Sequence, residues 1–117
     1  MLFKLTELEG AVSISVTYAI GTVVKHQLYG YRGVVVSYDS SCMAGDKWYY
    51  GNKTQPKQNQ PWYHLLIDES GGLSTYVAQS NLSFDRVGTP IVHPRTDSYF
   101  SCFKNGVYIL KAKNLDV

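Results

Sequence analysis

A small antiparallel β-barrel or sandwich is predicted by three features of the 117-residue sequence: apolar and polar side chains alternating at a period of two, short β-branched or aromatic runs, and frequent turn residues between them. Val12, Ile14, Val16 and Tyr18 alternate with Ser13, Ser15 and Thr17, so the first predicted strand is half-buried. Thr22-Val23-Val24-Lys25-His26 and Gly33-Val34-Val35-Val36-Ser37-Tyr38 flank the turn-like Leu28-Tyr29-Gly30-Tyr31 and predict a hairpin. The unbroken β-branched run of its second arm suits a strand covered on both faces. Trp62 to Ile67 and Leu73 to Val77 form a second predicted hairpin through Asp68-Glu69-Ser70-Gly71-Gly72. Asn105-Gly106 is a turn signal that opens a last strand, Val107 to Leu110. Ala78 to Leu82 suits one helical turn, and Pro90 and Pro94 stop anything longer. Gly51 to Gln60 holds no large apolar residue and reads as a mobile loop. Five or so strands in a chain of this length leave helix a minor component.

A chain of this size makes one domain and buries about two-thirds of the surface that its unfolded form exposes. With 44% hydrophobic and 17% charged residues, ten Tyr, four Phe and two Trp, it has the composition of a globular domain and not of a disordered one. No apolar stretch approaches the roughly 18 to 20 residues that cross a bilayer, and Glu7 and Glu9 after Leu5 lack the order of a signal peptide. The expectation is an intracellular protein, cytoplasmic or nuclear, or a fragment of one, with Cys42 and Cys102 as reduced thiols. Eleven Lys and Arg against nine Asp and Glu give +2, well short of the excess expected where phosphate neutralisation supplies the affinity.

The residues usable for catalysis, His26, His64, His93, Cys42, Cys102 and Asp39, lie in no catalytic motif. A Cys42–His64 nucleophile and base pair is conceivable, but a loop thiol and a sheet histidine account for the same residues. The three histidines have no ligand spacing, so no metal and no cofactor is expected. His93 before Pro94 suits a hydrogen-bonded histidine that fixes an irregular connection. Aromatic residues near predicted strand ends stand out instead, among them Tyr29, Tyr31, Trp48, Tyr49, Tyr50 and Tyr76. Such side chains bury large areas at low entropic cost and keep a polar tip for hydrogen bonding, which suits a binding surface. Trp62, Tyr76 and Phe100 are expected in the core, and Tyr49 and Tyr50 are expected as an exposed pair beside the polar loop.

Read together, Lys25-His26, Gly30-Tyr31-Arg32-Gly33-Val34-Val35, Asp39, Gln60-Pro61-Trp62-Tyr63-His64, Thr75-Tyr76-Val77-Ala78, Asn81-Leu82 and Ile91-Val92-His93-Pro94 with Tyr99-Phe100 resemble the YccV/HspQ-like family, known as the hemimethylated DNA-binding domain. The likeness runs from about Tyr18 to Phe100 in a single domain spanning 1–117. Cys42-Met43, Gly45 and Trp48, with Tyr99-Phe100-Ser101, Phe103, Tyr108-Ile109 and Asn114, look like the version at the C-terminus of F-box substrate receptors of ubiquitin ligases. No F-box precedes the matching residues, so the chain reads as an excised domain or as a single-domain relative. The alternation from Val12 to Tyr18 lies outside what the resemblance explains.

The resemblance implies an SH3-like barrel of about five to seven antiparallel strands with one or two short helical turns. It also implies two roles held by bacterial relatives, binding hemimethylated DNA and modulating protein degradation with the Lon protease. Fold alone does not choose between them. The expectation is a non-enzymatic module that recognises a protein partner or degradation substrate, with Tyr31, Arg32, Tyr49, Tyr50, Trp62 and His64 as candidate binding residues. The alternative is duplex DNA, with Lys25, Arg32, Lys47, Lys53 and Lys57 on phosphates. Neither a membrane nor a small-molecule cofactor is expected as a partner, and the oligomeric state stays open.

Overall fold

A computed structural model describes residues 15–112. These contain strands β1 (Val23–His26), β2 (Arg32–Asp39), β3 (Trp62–Ile67), β4 (Ser74–Ala78), β5 (Leu82–Phe84), β6 (Phe100–Lys104) and β7 (Val107–Leu110), with short helices α1 (Asp46–Tyr50) and α2 (Thr96–Tyr99) and a 3-10 turn at Gln79–Asn81. All strand pairs are antiparallel, so the all-β class holds. The main sheet has the order β4-β3-β2-β1-β5, and β6 and β7 form a separate hairpin.

Both hairpins predicted from turn chemistry are present, β1–β2 and β3–β4. In the β6–β7 turn Asn105 and Gly106 have φ of 54° and 84°, the left-handed pair that a tight hairpin requires and that Asn-Gly tolerates. The β-branched run of β2 is covered on both faces. Val35 packs with Tyr18, Val24, Tyr63, Leu65 and Val77 on one side, and Val34 packs with Val23, Leu66, Ile91, Phe100 and Tyr108 on the other. The β6–β7 hairpin supplies Phe100 and Tyr108 to the second face, which is why the two adjacent valines are both inaccessible.

Three expectations change. The barrel is not closed by hydrogen bonds: β5, only three residues long, pairs with β1 alone, and β4 pairs with β3 alone. The 3-10 turn spans the gap between these two edges. The predicted first strand lies in part outside the described residues, and its described part, Ser15 to Tyr18, is not a strand. Its Thr17 and Tyr18 N–H groups donate to the Tyr63 hydroxyl at 3.1 and 3.2 Å, so a side chain replaces the missing neighbouring strand. The segment from Gly51 to Gln60 forms no helix or strand, as expected, but it is tied to the body by bonds described below. Strands β5 and β6 and helices α1 and α2 had no sequence-level prediction.

Candidate functional site

The β1–β2 connection is organised by His26. This residue is 4% exposed, and burial lowers its pKa, which favours the neutral ring. Its Nδ1 accepts N–H bonds from Leu28 and Tyr29, both at 3.1 Å, and its carbonyl accepts the Gly30 N–H at 2.8 Å. Gly30 has φ +80°, which lets the chain reverse before β2. Tyr29 stacks on the imidazole at 4.5 Å between centroids, and Tyr31 lies at 5.1 Å. Three rings are thus held together by a histidine that acts as an acceptor.

A second group of rings comes from α1, β3 and β4. Trp48 meets Trp62 at 6.1 Å and Tyr76 at 5.7 Å, and Trp62 meets Tyr76 at 5.3 Å. Cross-strand register explains the closeness of the β3 and β4 members, since Trp62 pairs with Ala78 and His64 with Tyr76. Burial raises the pKa of the Tyr76 hydroxyl strongly, reinforced by the carboxylate it serves. That hydroxyl donates to Asp39 Oδ2 at 2.6 Å and accepts the Met43 N–H at 3.1 Å. His64 Nε2 lies 3.5 Å from the same oxygen, with its ring 4.4 Å from that of Tyr76. The polar loop is sewn beneath this group: the Tyr49 hydroxyl donates to the Pro56 carbonyl at 2.7 Å and the Trp62 indole to that of Lys57 at 3.3 Å.

Both ring groups line one cleft of about 90 Å³. Among the described residues no ring pair bridges the two groups, so the cleft runs between them. Lys53 and Pro56 of the β2–β3 connection and Asn81 of the 3-10 turn complete its rim. Besides the loop residues, His26 of β1, Trp48 of α1 and Trp62 of β3 line it, and the edge strand β4 contributes Thr75 to Ala78.

The expected binding residues are not all brought together. Tyr31 and Trp62 line the cleft, with Trp62 only 3% exposed, so it forms a wall and not a protruding anchor. Tyr50 is exposed, but Tyr49, expected beside it in solvent, is buried at 7% because its ring packs with Trp62 and Ala78 in a third small core. His64 is exposed and sits against Asp39 and Tyr76. Arg32 is taken up internally: Nε and Nη2 donate to the two oxygens of Asp85 at 3.0 and 3.2 Å, and Nη1 donates to Asp68 at 3.0 Å. Burial opposes charge on both sides of this cluster, yet the arginine's bonds hold the Asp85 carboxyl below its ordinary range and raise Arg32 further. Lys25, Lys47, Lys53 and Lys57 are exposed. Lys25 lines a different cleft beside Arg32 and Asp85, while Lys53 lines the aromatic one.

The sequence places Trp48, Tyr29 and Tyr76 among the aromatic residues near strand ends but does not single them out as anchors. The signal was present in their positions beside predicted turns; what it lacked was the helix that lifts Trp48 to the cleft. His93 performs the structural task expected of it, accepting the Arg95 N–H at 3.0 Å on Nδ1 and donating from Nε2 to the Leu73 carbonyl at 3.0 Å. Cys42 and Cys102 are free thiols, and among the described residues no helix is long and apolar enough to cross a membrane.

Fold and cleft together define a small all-β domain whose loops present an aromatic recess at one edge of a sheet. The family model described as hemimethylated DNA-binding protein YccV like matches residues 16–107, and the chain belongs to this YccV-like family. F-box only protein 21 of Mus musculus is 36% identical over 101 residues, which is 84% of this chain and 16% of that protein. The protein of the same name from Homo sapiens is 35% identical over the same coverage. The chain thus spans 16% of the length of these curated relatives.

Proposed function

We propose that the domain is a non-enzymatic binding module that recognises a protein partner through the aromatic cleft, in a pathway of protein degradation. The observation that carries this is the pair of ring groups flanking an open recess, one packed on the hydrogen-bonded His26 and the other on the hydrogen-bonded Trp62 and Tyr76. Rings that are already immobilised lose little entropy when a partner docks, and their faces supply area while the loop amides and hydroxyls supply hydrogen bonds. The likeness to an F-box protein favours the same reading, because the resemblance implies a substrate-recognition role there. In this reading Tyr31 and Trp62 stay in the binding set as cleft walls, and Trp48 and Tyr29 join them. His64 stays as a neighbour of Tyr76, and Tyr50 as an exposed ring adjoining the buried Tyr49. The module works inside the cell, in cytoplasm or nucleus.

The family description favours duplex DNA as the second reading. Lys25, Lys47, Lys53 and Lys57 would then meet phosphates, whereas Arg32 would have to leave two carboxylates to do so. One comparison decides between the readings. Partners cross-linked to the purified domain are identified, produced separately and titrated against the wild type and Trp48→Ala. Loss of about tenfold or more in affinity for a protein partner, with an unchanged melting temperature, is the expected result. A Trp48 variant that binds every identified protein as the wild type does, alongside tight methylation-dependent binding of duplex DNA, would replace the first reading by the second.

A further inference from the structure

Resting on the protein-binding reading, we propose that the cleft takes an extended, proline-containing segment in the polyproline II conformation with an acidic residue beside the prolines. Three features of the cleft lead to this occupant. The first is shape. Tyr29 and Tyr31 belong to one ring group and Trp48 and Tyr76 to the other, and among the described residues no ring pair joins the two groups. A polyproline II ridge repeats every three residues and presents flat pyrrolidine rings, which seat between aromatic faces without losing backbone freedom they never had.

The second feature is the polarity of the lining. Two side chains of the lining can only donate, the indole of the half-exposed Trp48 and the Lys53 ammonium, and the amides of Asn52 and Asn81 can donate as well as accept. A proline-rich segment has carbonyls to offer and few N–H groups of its own, so it suits the donors that Trp48 and Lys53 supply.

Charge is the third. Lys53 is the one Lys or Arg among the described lining residues, and no Asp or Glu lines the cleft. Asp39, which is not among the lining residues, already accepts the Tyr76 hydroxyl at 2.6 Å. An aromatic recess built for a methylated ammonium needs a carboxylate or an unopposed ring face to favour the cation; here a lysine stands at the rim instead. The sign of the site therefore selects an acidic flank in the ligand.

The test uses a polyproline peptide flanked by glutamates, the same peptide flanked by lysines, and a glutamate-flanked peptide with every proline replaced by alanine. Each is titrated into the isotope-labelled chain, with the Trp48 indole and Asn81 side-chain amide resonances followed by NMR. The expected result is saturable movement of both signals with the first peptide, weaker binding of the other two, and loss of the response in Trp48→Ala. Lys53→Glu, a change at an exposed side chain that spares the fold, is expected to reverse the preference between glutamate and lysine flanks by about fivefold. Equal binding of the proline and alanine peptides, or no movement of the cleft signals with any of them, overturns the proposal. Protein partners that still depend on Trp48 would in that case leave the broader reading standing, so the two failures are separable. Movement of the same signals by duplex DNA, with none from the peptides, would overturn both.

Discussion

Two buried side chains illustrate how single residues set the cleft. His26 accepts two backbone N–H groups on one ring nitrogen, which is possible only while that nitrogen carries no proton. Burial lowers its pKa in the folded chain, so the folded state binds fewer protons than the unfolded state as the pH falls through the normal histidine range. The stability that this ring contributes is complete above about pH 6.5 and is lost on descending through the lowered folded value. Hydrogen exchange of the Leu28 and Tyr29 amides is therefore expected to accelerate, after correction for the intrinsic rate, as the pH falls below about 6.5, while amides in the centre of β2 hold their protection. Equal behaviour of loop and sheet amides would remove His26 as the clamp. Tyr63, fully buried, serves the other end of the sheet by accepting both the Thr17 and Tyr18 N–H groups and bonding Gln79. Tyr63→Phe keeps the ring and strips the acceptor, at an expected cost of about 1–3 kcal/mol in chemical denaturation. A variant as stable as the parent would show that solvent, together with the Gln79 Oε1 that already accepts the Thr17 N–H at 3.0 Å, satisfies those N–H groups equally well.

At the scale of elements, what was readable in the sequence followed from periodicity and turn chemistry. The β1–β2 and β3–β4 hairpins and the Asn105-Gly106 turn rest on local signals that tertiary contacts left in place. The missed pieces have a common cause. Strand β5 has three residues, and β6 carries a register shift between Phe100 and Cys102 that breaks the alternation. Helix α1 has five residues and is fixed by packing of Tyr49 against Trp62, a contact made across the β2–β3 connection and invisible to a window of local sequence. The same long-range contact buries Tyr49, which the polar neighbouring sequence predicts as exposed. Periodicity misled in the opposite direction from Ser15 to Tyr18, because alternation states which face would be buried and says nothing about whether a partner strand exists. Gly21 joins the two sheets: its carbonyl accepts the Tyr108 N–H at 2.9 Å, and a Cβ in its place would lie 2.2 Å from the Tyr108 carbonyl oxygen. Its φ of +97° adds a backbone penalty of about 1–3 kcal/mol for any other residue. Gly21→Ala is expected to lower the melting temperature by about 10 °C or more. Gly88→Ala, at φ +82° with open space around it, isolates the backbone penalty and is expected to fall by less. Equal losses in the two variants would mean that the β7 strand yields to the methyl group.

For the molecule as a whole, the distribution of charge limits what the domain can hold. The net charge is +2, and Arg32, the most enclosed cation among the described residues, is neutralised by Asp68 and Asp85 in a cluster that ties the start of β2 to the segments following β3 and β5. Removing an arginine from such a cluster leaves buried carboxylates without a partner, so it reports on stability before it reports on any ligand. The remaining candidate phosphate contacts are divided, with Lys25 at one cleft and Lys53 at another. A duplex could engage such lysines only a few at a time, through contacts that carry no sequence information. The expectation is weak binding of hemimethylated, fully methylated and unmethylated duplexes alike, with affinity falling by no more than about a hundredfold between 50 and 200 mM salt, the loss that four phosphate contacts would produce. Titration of the three duplexes at both salt concentrations measures this directly. A steeper salt dependence, or a preference for the hemimethylated duplex that survives at the higher salt, would require a continuous basic face and a pocket for the methyl group, and would move the aromatic cleft from a protein-docking site to a reader of the base.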